Sequence, residues 1–185
     1  GSALGIDCDA QGRIYVADQV NNRIQVFSPE GKHLQAVGID RPKLVRVHQK
    51  SGALYVQHQG RLQGKSVDRI TKISALPEAR ELFHADGLPA SALALDSWSP
   101  NPRLWTAGDT VWVHGAGAGG AGPSVRIWEE SGQGLKLVDD FEKDAHEAGG
   151  PGYFGRWGGA VAGPDGKLVC DPVRGKAYFD NRHVF

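Results

Sequence analysis

Short apolar runs alternate with turn residues from the first positions of the chain. Four runs stand out in the first 37 residues: Ala3-Leu4-Gly5-Ile6, Arg13-Ile14-Tyr15-Val16-Ala17, Arg23-Ile24-Gln25-Val26-Phe27 and His33-Leu34-Gln35-Ala36-Val37. The second is entered from Asp9-Ala10-Gln11-Gly12, the third through Asn21-Asn22, and the fourth through Ser28-Pro29-Glu30-Gly31. Brief runs rich in β-branched and aromatic residues, bounded by Gly, Asn, Asp and Pro, predict strands joined by tight turns. Four in succession predict an antiparallel meander.

The pattern recurs. Gly52-Ala53-Leu54-Tyr55-Val56 repeats Gly12-Arg13-Ile14-Tyr15-Val16 at a spacing of 40, and Asp68-Arg69-Ile70-Thr71-Lys72-Ile73 repeats Asn22-Arg23-Ile24-Gln25-Val26-Phe27 at a spacing of 46. A third unit is expected from Leu93-Ala94-Leu95-Asp96, Thr110-Val111-Trp112-Val113, Ser124-Val125-Arg126-Ile127-Trp128 and Leu135-Lys136-Leu137-Val138. A fourth opens at Gly159-Ala160-Val161-Ala162 and continues through Lys167-Leu168-Val169-Cys170-Asp171 and Lys176-Ala177-Tyr178-Phe179-Asp180. Four-stranded units with a period of about 40–57 residues read as propeller blades. Strand content alone also allows a sandwich, but the repeated Gly-x-(Ile/Leu)-Tyr-Val and Arg-Ile pairs favour repetition.

The run Gly5-Ile6-Asp7, Gly12-Arg13-Ile14-Tyr15-Val16-Ala17-Asp18, Asn21-Asn22-Arg23-Ile24-Gln25-Val26-Phe27 and Gly31 resembles the NHL repeat, a blade of six-bladed propellers. The fourth unit shares it in part, with Asp171, Lys176 and Phe179 near the positions of Asp18, Arg23 and Val26. The second and third units share strand order and the Arg-Ile pair, and His58 stands where the motif has Asp. The resemblance implies an all-β, NHL-type propeller with about four four-stranded antiparallel blades at residues 1–38, 39–86, 87–143 and 151–185, the last incomplete. Six blades of about 45 residues need roughly 270. The expectation is therefore an incomplete ring, with the remaining blades supplied by a longer chain or another copy. The lack of Met, including an initiator, fits a processed or excised chain.

Composition agrees with a turn-rich all-β protein: 26 of 185 residues are Gly and 10 are Pro. That is about twice the ordinary ~7% for Gly. Lys plus Arg number 21 and Asp plus Glu number 21, for a net charge of zero. Nucleic acid and anionic membranes both ask for a basic surface, so the balance disfavours them as partners. No apolar run approaches the roughly 18 residues of a membrane helix. Two Cys do not make a disulfide scaffold. Cys8 and Cys170 lie in apolar strands, where Cys is ordinarily an inert core residue.

The resemblance places the binding surface on the face carrying the second-to-third-strand loops (18–22, 58–68, 114–124 and 171–175) and the blade-to-blade loops (38–43, 85–91 and 144–158). Asp18, His58, His114 and Asp171 all fall at or just after the expected second strands. As a set they suit one divalent ion (Zn, Mn or Fe, with Ca preferring oxygen alone), which could activate water. The competing reading has the aspartates tie their own loops, Asp18 to Asn21, Asn22 and Arg23. Arg61 and Lys65 are candidates to receive an anion. Arg156 and Trp157, beside Tyr153 and Phe154, suit sugar stacking or a protein hot spot, or pack between blades. Gly115, Gly117 and Gly120 spell Gly-x-Gly-x-x-Gly, but a strand pattern follows where a phosphate site needs a helix. No Gly-x-Ser-x-Gly elbow is present, and no catalytic residue is assigned.

Three functions follow. One is a scaffold that recognises a protein, peptide or glycan on its loop face and needs no cofactor. Another, implied by six-bladed relatives, is a metal-dependent lactonase-like hydrolase or lyase with a central channel site. A third is a sensor or assembly module within a longer extracytoplasmic protein.

Overall fold

The computed structural model describes residues 2–88, 90, 92–107, 125–132 and 134–140, and the backbone of three strands within 168–184. The described elements are all strands, grouped into four antiparallel sheets. Sheet A holds β1 (Ala3–Cys8), β2 (Ile14–Asp18), β3 (Arg23–Phe27) and β4 (His33–Gly38). Sheet B holds β5 (Leu44–Val47), β6 (Leu54–Leu62), β7 (Lys65–Ile73) and β8 (Glu81–Asp86). Sheet C holds β9 (Ala92–Leu95), β10 (Arg103–Ala107), β11 (Val125–Ser131) and β12 (Gly134–Asp140). Sheet D holds β13 (Leu168–Asp171), β14 (Lys176–Phe179) and β15 (His183–Val184). In every sheet the strands lie side by side in chain order.

The chain divides into two compact units, Gly1–Gly108 with Arg126–Asp139 and Asp109–Val125 with Asp140–Phe185. In the first unit, strand alternation gives sheets A and B one apolar face turned toward each other. Tyr15, Ala17, Ile24, Val26 and Val37 of sheet A pack on Val45, Val47, Leu54, Val56 and Ile73 of sheet B. The opposite face of sheet B places Tyr55 and Ile70 against Leu93 and Leu104 of sheet C. Burying each of the Val, Leu and Ile side chains among these stabilises the fold by about 1.5–3 kcal/mol. The first strands run close together, with β5 beside both β1 and β9. Gly5 makes this approach possible, because a Cβ there would lie 2.7 Å from the Lys43 carbonyl oxygen and 2.9 Å from Leu44 Cα. Asp7 Oδ2 accepts a hydrogen bond from the Val47 amide at 2.8 Å and joins the two strands.

The second unit contributes sheet D. Its register sets Asp171 opposite Lys176 and Leu168 opposite Phe179, the same pairing as Asp18 with Arg23 and Tyr15 with Val26.

Three expectations change. Residues 58–68 are not a loop: β6 and β7 run on as a ribbon that closes through a two-residue turn at Gln63 (φ 50°) and Gly64 (φ 79°). Two positive φ values define the turn whose twist matches a hairpin. The second strand of the third unit is Arg103–Ala107, while residues 110–113 lie outside the described residues. Both segments read as short β-runs, so periodicity alone had no means to choose. Cys8 is exposed rather than buried.

Candidate functional site

Asp18 closes β2 and gathers the turn that follows. Its Oδ1 and Oδ2 each accept from Asn21 Nδ2 at 2.9 Å, and Oδ2 also accepts from Arg23 Nε at 3.1 Å and Gln25 Nε2 at 2.8 Å. The Asn21 amide holds the carboxyl below its ordinary pKa, and Arg23 adds to this against the opposing effect of burial. Asn22 serves a different joint, where its carbonyl accepts from Ile39 N at 3.0 Å and its side-chain oxygen from Arg41 N at 3.0 Å. The connection from sheet A to sheet B is thereby pinned.

His58 occupies the position of Asp18 in sheet B. It stands opposite Arg69 in β7, as Asp18 stands opposite Arg23 in β3. Its Nδ1 faces two carbonyl oxygens, of Asp40 and Gln59, each at 3.1 Å. Carbonyls only accept, so Nδ1 carries the hydrogen, and Nε2 accepts from the Thr71 hydroxyl at 2.8 Å. Thr71 stands where Gln25 stands in sheet A. Burial pushes the imidazole below its ordinary pKa, and Arg69 adds to this against the two carbonyls. His58 is thus a neutral, fully engaged side chain.

A neutral ring does not pair with Arg69, and the carboxylate comes from β8 instead. Arg69 Nε and Nη2 donate to Asp86 Oδ1 and Oδ2 at 2.6 and 3.0 Å, and Nη2 reaches the Arg61 carbonyl at 3.3 Å. This fork holds the Asp86 carboxyl below its usual range. The guanidinium lies across Gly60, where a Cβ would sit 2.4 Å from Arg69 Nε.

Around this network opens a cleft of about 350 Å³ between sheets A and B. Val37, Ile39, Ile73 and Ala79 form its apolar part, while Asp40, His58, Gln59, Arg61, Arg69 and Glu81 supply polar groups. A second cleft, of about 290 Å³, includes His48, Lys50, Tyr55 and Lys72. There the Tyr55 hydroxyl donates to Glu130 Oε1, and Lys72 Nζ donates to the same carboxylate at 2.6 and 2.9 Å. Glu130 thus ties sheet C to sheet B. Burial, then Glu130, raises the Tyr55 pKa above its ordinary value.

The turn before the second strand shows a parallel exchange. Asp9 accepts from Gln11 N at 3.0 Å, Arg13 N at 2.9 Å, Arg13 Nε at 2.6 Å and the Tyr15 hydroxyl at 3.0 Å. Burial raises its pKa, but the bonds from Arg13 and Tyr15 outweigh this and leave it lowered. His48 takes the corresponding place in sheet B, where its Nδ1 accepts from Ser51 N at 3.1 Å and its Nε2 donates to the Ser99 carbonyl at 2.8 Å.

The sites expected from sequence are therefore distributed as follows. His58 and Arg61 share the cleft. Lys65 stands at the ribbon tip, exposed, and Asp18 is engaged in its own turn. Among the described residues no three His, Cys, Asp or Glu side chains come together as a metal site. His114, Arg156 and Trp157 lie outside the described residues, and Asp171 is described only as backbone of β13. Sequence reasoning missed Gly60, Arg69 and Asp86 as parts of the site. Arg69 was visible within the Arg-Ile repeat, but its link to Asp86 is a matter of β7–β8 register. A scan against models of known protein families finds no match for this chain, and neither does a search of curated proteins.

Proposed function

We propose that the chain is a β-propeller-type recognition scaffold of NHL character, which takes a protein, peptide or glycan at the cleft beside His58 and on the adjoining loops. The propeller reading draws on three consecutive four-stranded meanders whose first strands lie side by side. The recognition reading rests on one observation. Two titratable groups beside the cleft are engaged in holding its walls, His58 by Asp40, Gln59 and Thr71 and Arg69 by Asp86. The opening itself is lined by apolar side chains, Val37, Ile39, Ile73 and Ala79, together with polar ones that include Arg61 and Asp40. A concave apolar surface with a few oriented polar groups is the ordinary form of a binding site.

Gly38 offers a direct test. It lines the cleft, and a Cβ added there meets nothing within 4 Å. Gly38→Trp should fill the opening without disturbing the sheets. Binding to a peptide and oligosaccharide array should be lost in this variant while thermal stability is retained. Array binding that survives Gly38→Trp would remove the cleft as the site. One divalent ion per chain, retained through dialysis and lost together with thermal stability in His58→Ala, would replace the scaffold by the metal-dependent enzyme.

A further inference from the structure

We propose that the β6–β7 ribbon is a docking finger for an extended acidic segment of another protein, an inference that rests on the recognition reading above. Sheet B is four-stranded only over part of its length. Pairing with β5 reaches Gln57, and pairing with β8 reaches Arg69. Beyond these points the two strands pair Gln59 with Asp68, whose carbonyl still accepts from Gly87 N and Leu88 N, and then continue alone, Gly60 with Val67, Arg61 with Ser66 and Leu62 with Lys65. The two-residue turn at Gln63 and Gly64 fixes this ribbon in advance of binding.

Directly opposed residues share a face. One face of the ribbon therefore carries Leu62, Lys65, Gly60 and Val67, and continues at its base into His58 and Arg69 of the cleft. Leu62 is 49% exposed. The other face presents Arg61.

Charge decides the class of partner. Arg61 and Lys65 are exposed, and neither has a counter-ion among the described residues. The carboxylate of the ribbon, Asp68, is already held by Lys43 Nζ at 3.0 Å and Gln57 Nε2 at 3.1 Å. Arg69 is held by Asp86. The free charge of the finger is thus positive, around an exposed apolar residue. An extended segment alternating apolar and acidic side chains complements it along the β6 edge that β5 leaves unpaired beyond Gln57: its apolar set lies on the face of Leu62, Val67 and Lys65, and its acidic set on the face of Arg61. Two cations on a chain of zero net charge are a weak footprint for nucleic acid.

The full chain would be titrated by fluorescence anisotropy with three probes: a labelled peptide alternating Glu and Val, its counterpart alternating Lys and Val, and a single-stranded oligonucleotide. The acidic peptide should bind at least about tenfold more tightly than the lysine peptide. Lys65→Glu should weaken it by up to about fivefold, as for an exposed ion pair. Leu62→Ser should weaken it by about fivefold or more, as for an apolar interface anchor. The double variant Arg61→Glu/Lys65→Glu should reverse the preference, a charge exchange that a folding defect does not mimic. Equal binding of both peptides, tighter binding of the oligonucleotide, or acidic-peptide binding unchanged in the double variant overturns the proposal. Peptide binding that ignores the ribbon variants yet is blocked by Gly38→Trp removes the finger and leaves the scaffold. Binding that ignores all of these variants removes both.

Discussion

Replacing Gly60 by alanine tests the Arg69–Asp86 arrangement through the sign of its effect. In a strand interior Gly→Ala ordinarily stabilises by about 0.5–1 kcal/mol, because the unfolded chain loses freedom. At position 60 the new Cβ would lie 2.4 Å from Arg69 Nε, 2.7 Å from Cζ and 2.9 Å from Cδ. An arginine side chain is flexible enough to move, but this one retreats only by leaving Asp86. The two side chains are 16% and 20% exposed. The pair therefore lies between a surface ion pair, worth about 0–1 kcal/mol, and a buried one whose disruption costs about 3–5 kcal/mol. A net loss of about 1–3 kcal/mol follows. In urea unfolding at pH 7, with a slope of about 1–3 kcal/mol/M, the midpoint should fall by about 1 M. In an Arg69→Ala background the same substitution should become neutral or stabilising, since the obstacle is gone. Asp86, held low by Arg69, contributes stability above the ordinary aspartate pKa of about 3.9 that is lost as pH falls, and Gly60→Ala should flatten that dependence. A Gly60→Ala protein as stable as the wild type, or one whose loss persists without Arg69, would refute the reasoning.

Three further outcomes can be checked. His58 has a folded pKa below its ordinary value of about 6.5. The unfolded chain therefore binds the proton first, and stability should decline as pH drops below about 6.5. His58→Asn should flatten the melting temperature between pH 7 and 5, leaving the separate loss below about pH 4 from Asp9, Asp18 and Asp86. Gly5→Ala drives a Cβ to 2.7 Å from the Lys43 carbonyl oxygen, and since backbone does not yield as a side chain does, denaturation should show a loss of about 1–3 kcal/mol. Tyr55→Phe removes one of the bonds to Glu130 across sheets B and C and should cost about 1–2 kcal/mol; in a Glu130→Gln background the cost should be smaller, measured as a double-mutant cycle.

The repeated units carry the same backbone with different side-chain solutions, and that comparison explains what could be read in advance. Asp18 was legible as a turn-holding residue because its partners Asn21 and Arg23 lie close in sequence. His58 was legible as an exception at the same position, but its partners were not. Thr71 lies 13 residues away and Asp40 lies 18 away, brought together by strand pairing and by the connection between sheets. Asp86 gives no sequence signal for its role, since it replaces the lost carboxylate from across β7–β8, 17 residues beyond Arg69.

The sequence by itself determined the all-β class, most of the described strand positions and the succession of four-stranded antiparallel meanders in the first three sheets. These depend on local causes: alternation with period two, turn residues at the boundaries, and the recurrence of Gly-x-(Ile/Leu)-Tyr-Val and Arg-Ile. Only the tertiary structure decided which side chains meet. It set the carboxylate that serves Arg69, the strand at Arg103–Ala107, the extension of β6 and β7 into a ribbon, and the need for glycine at positions 5 and 60. The physical reason is that register and sheet-to-sheet approach arise from contacts between residues remote in the chain, and periodicity carries no record of them.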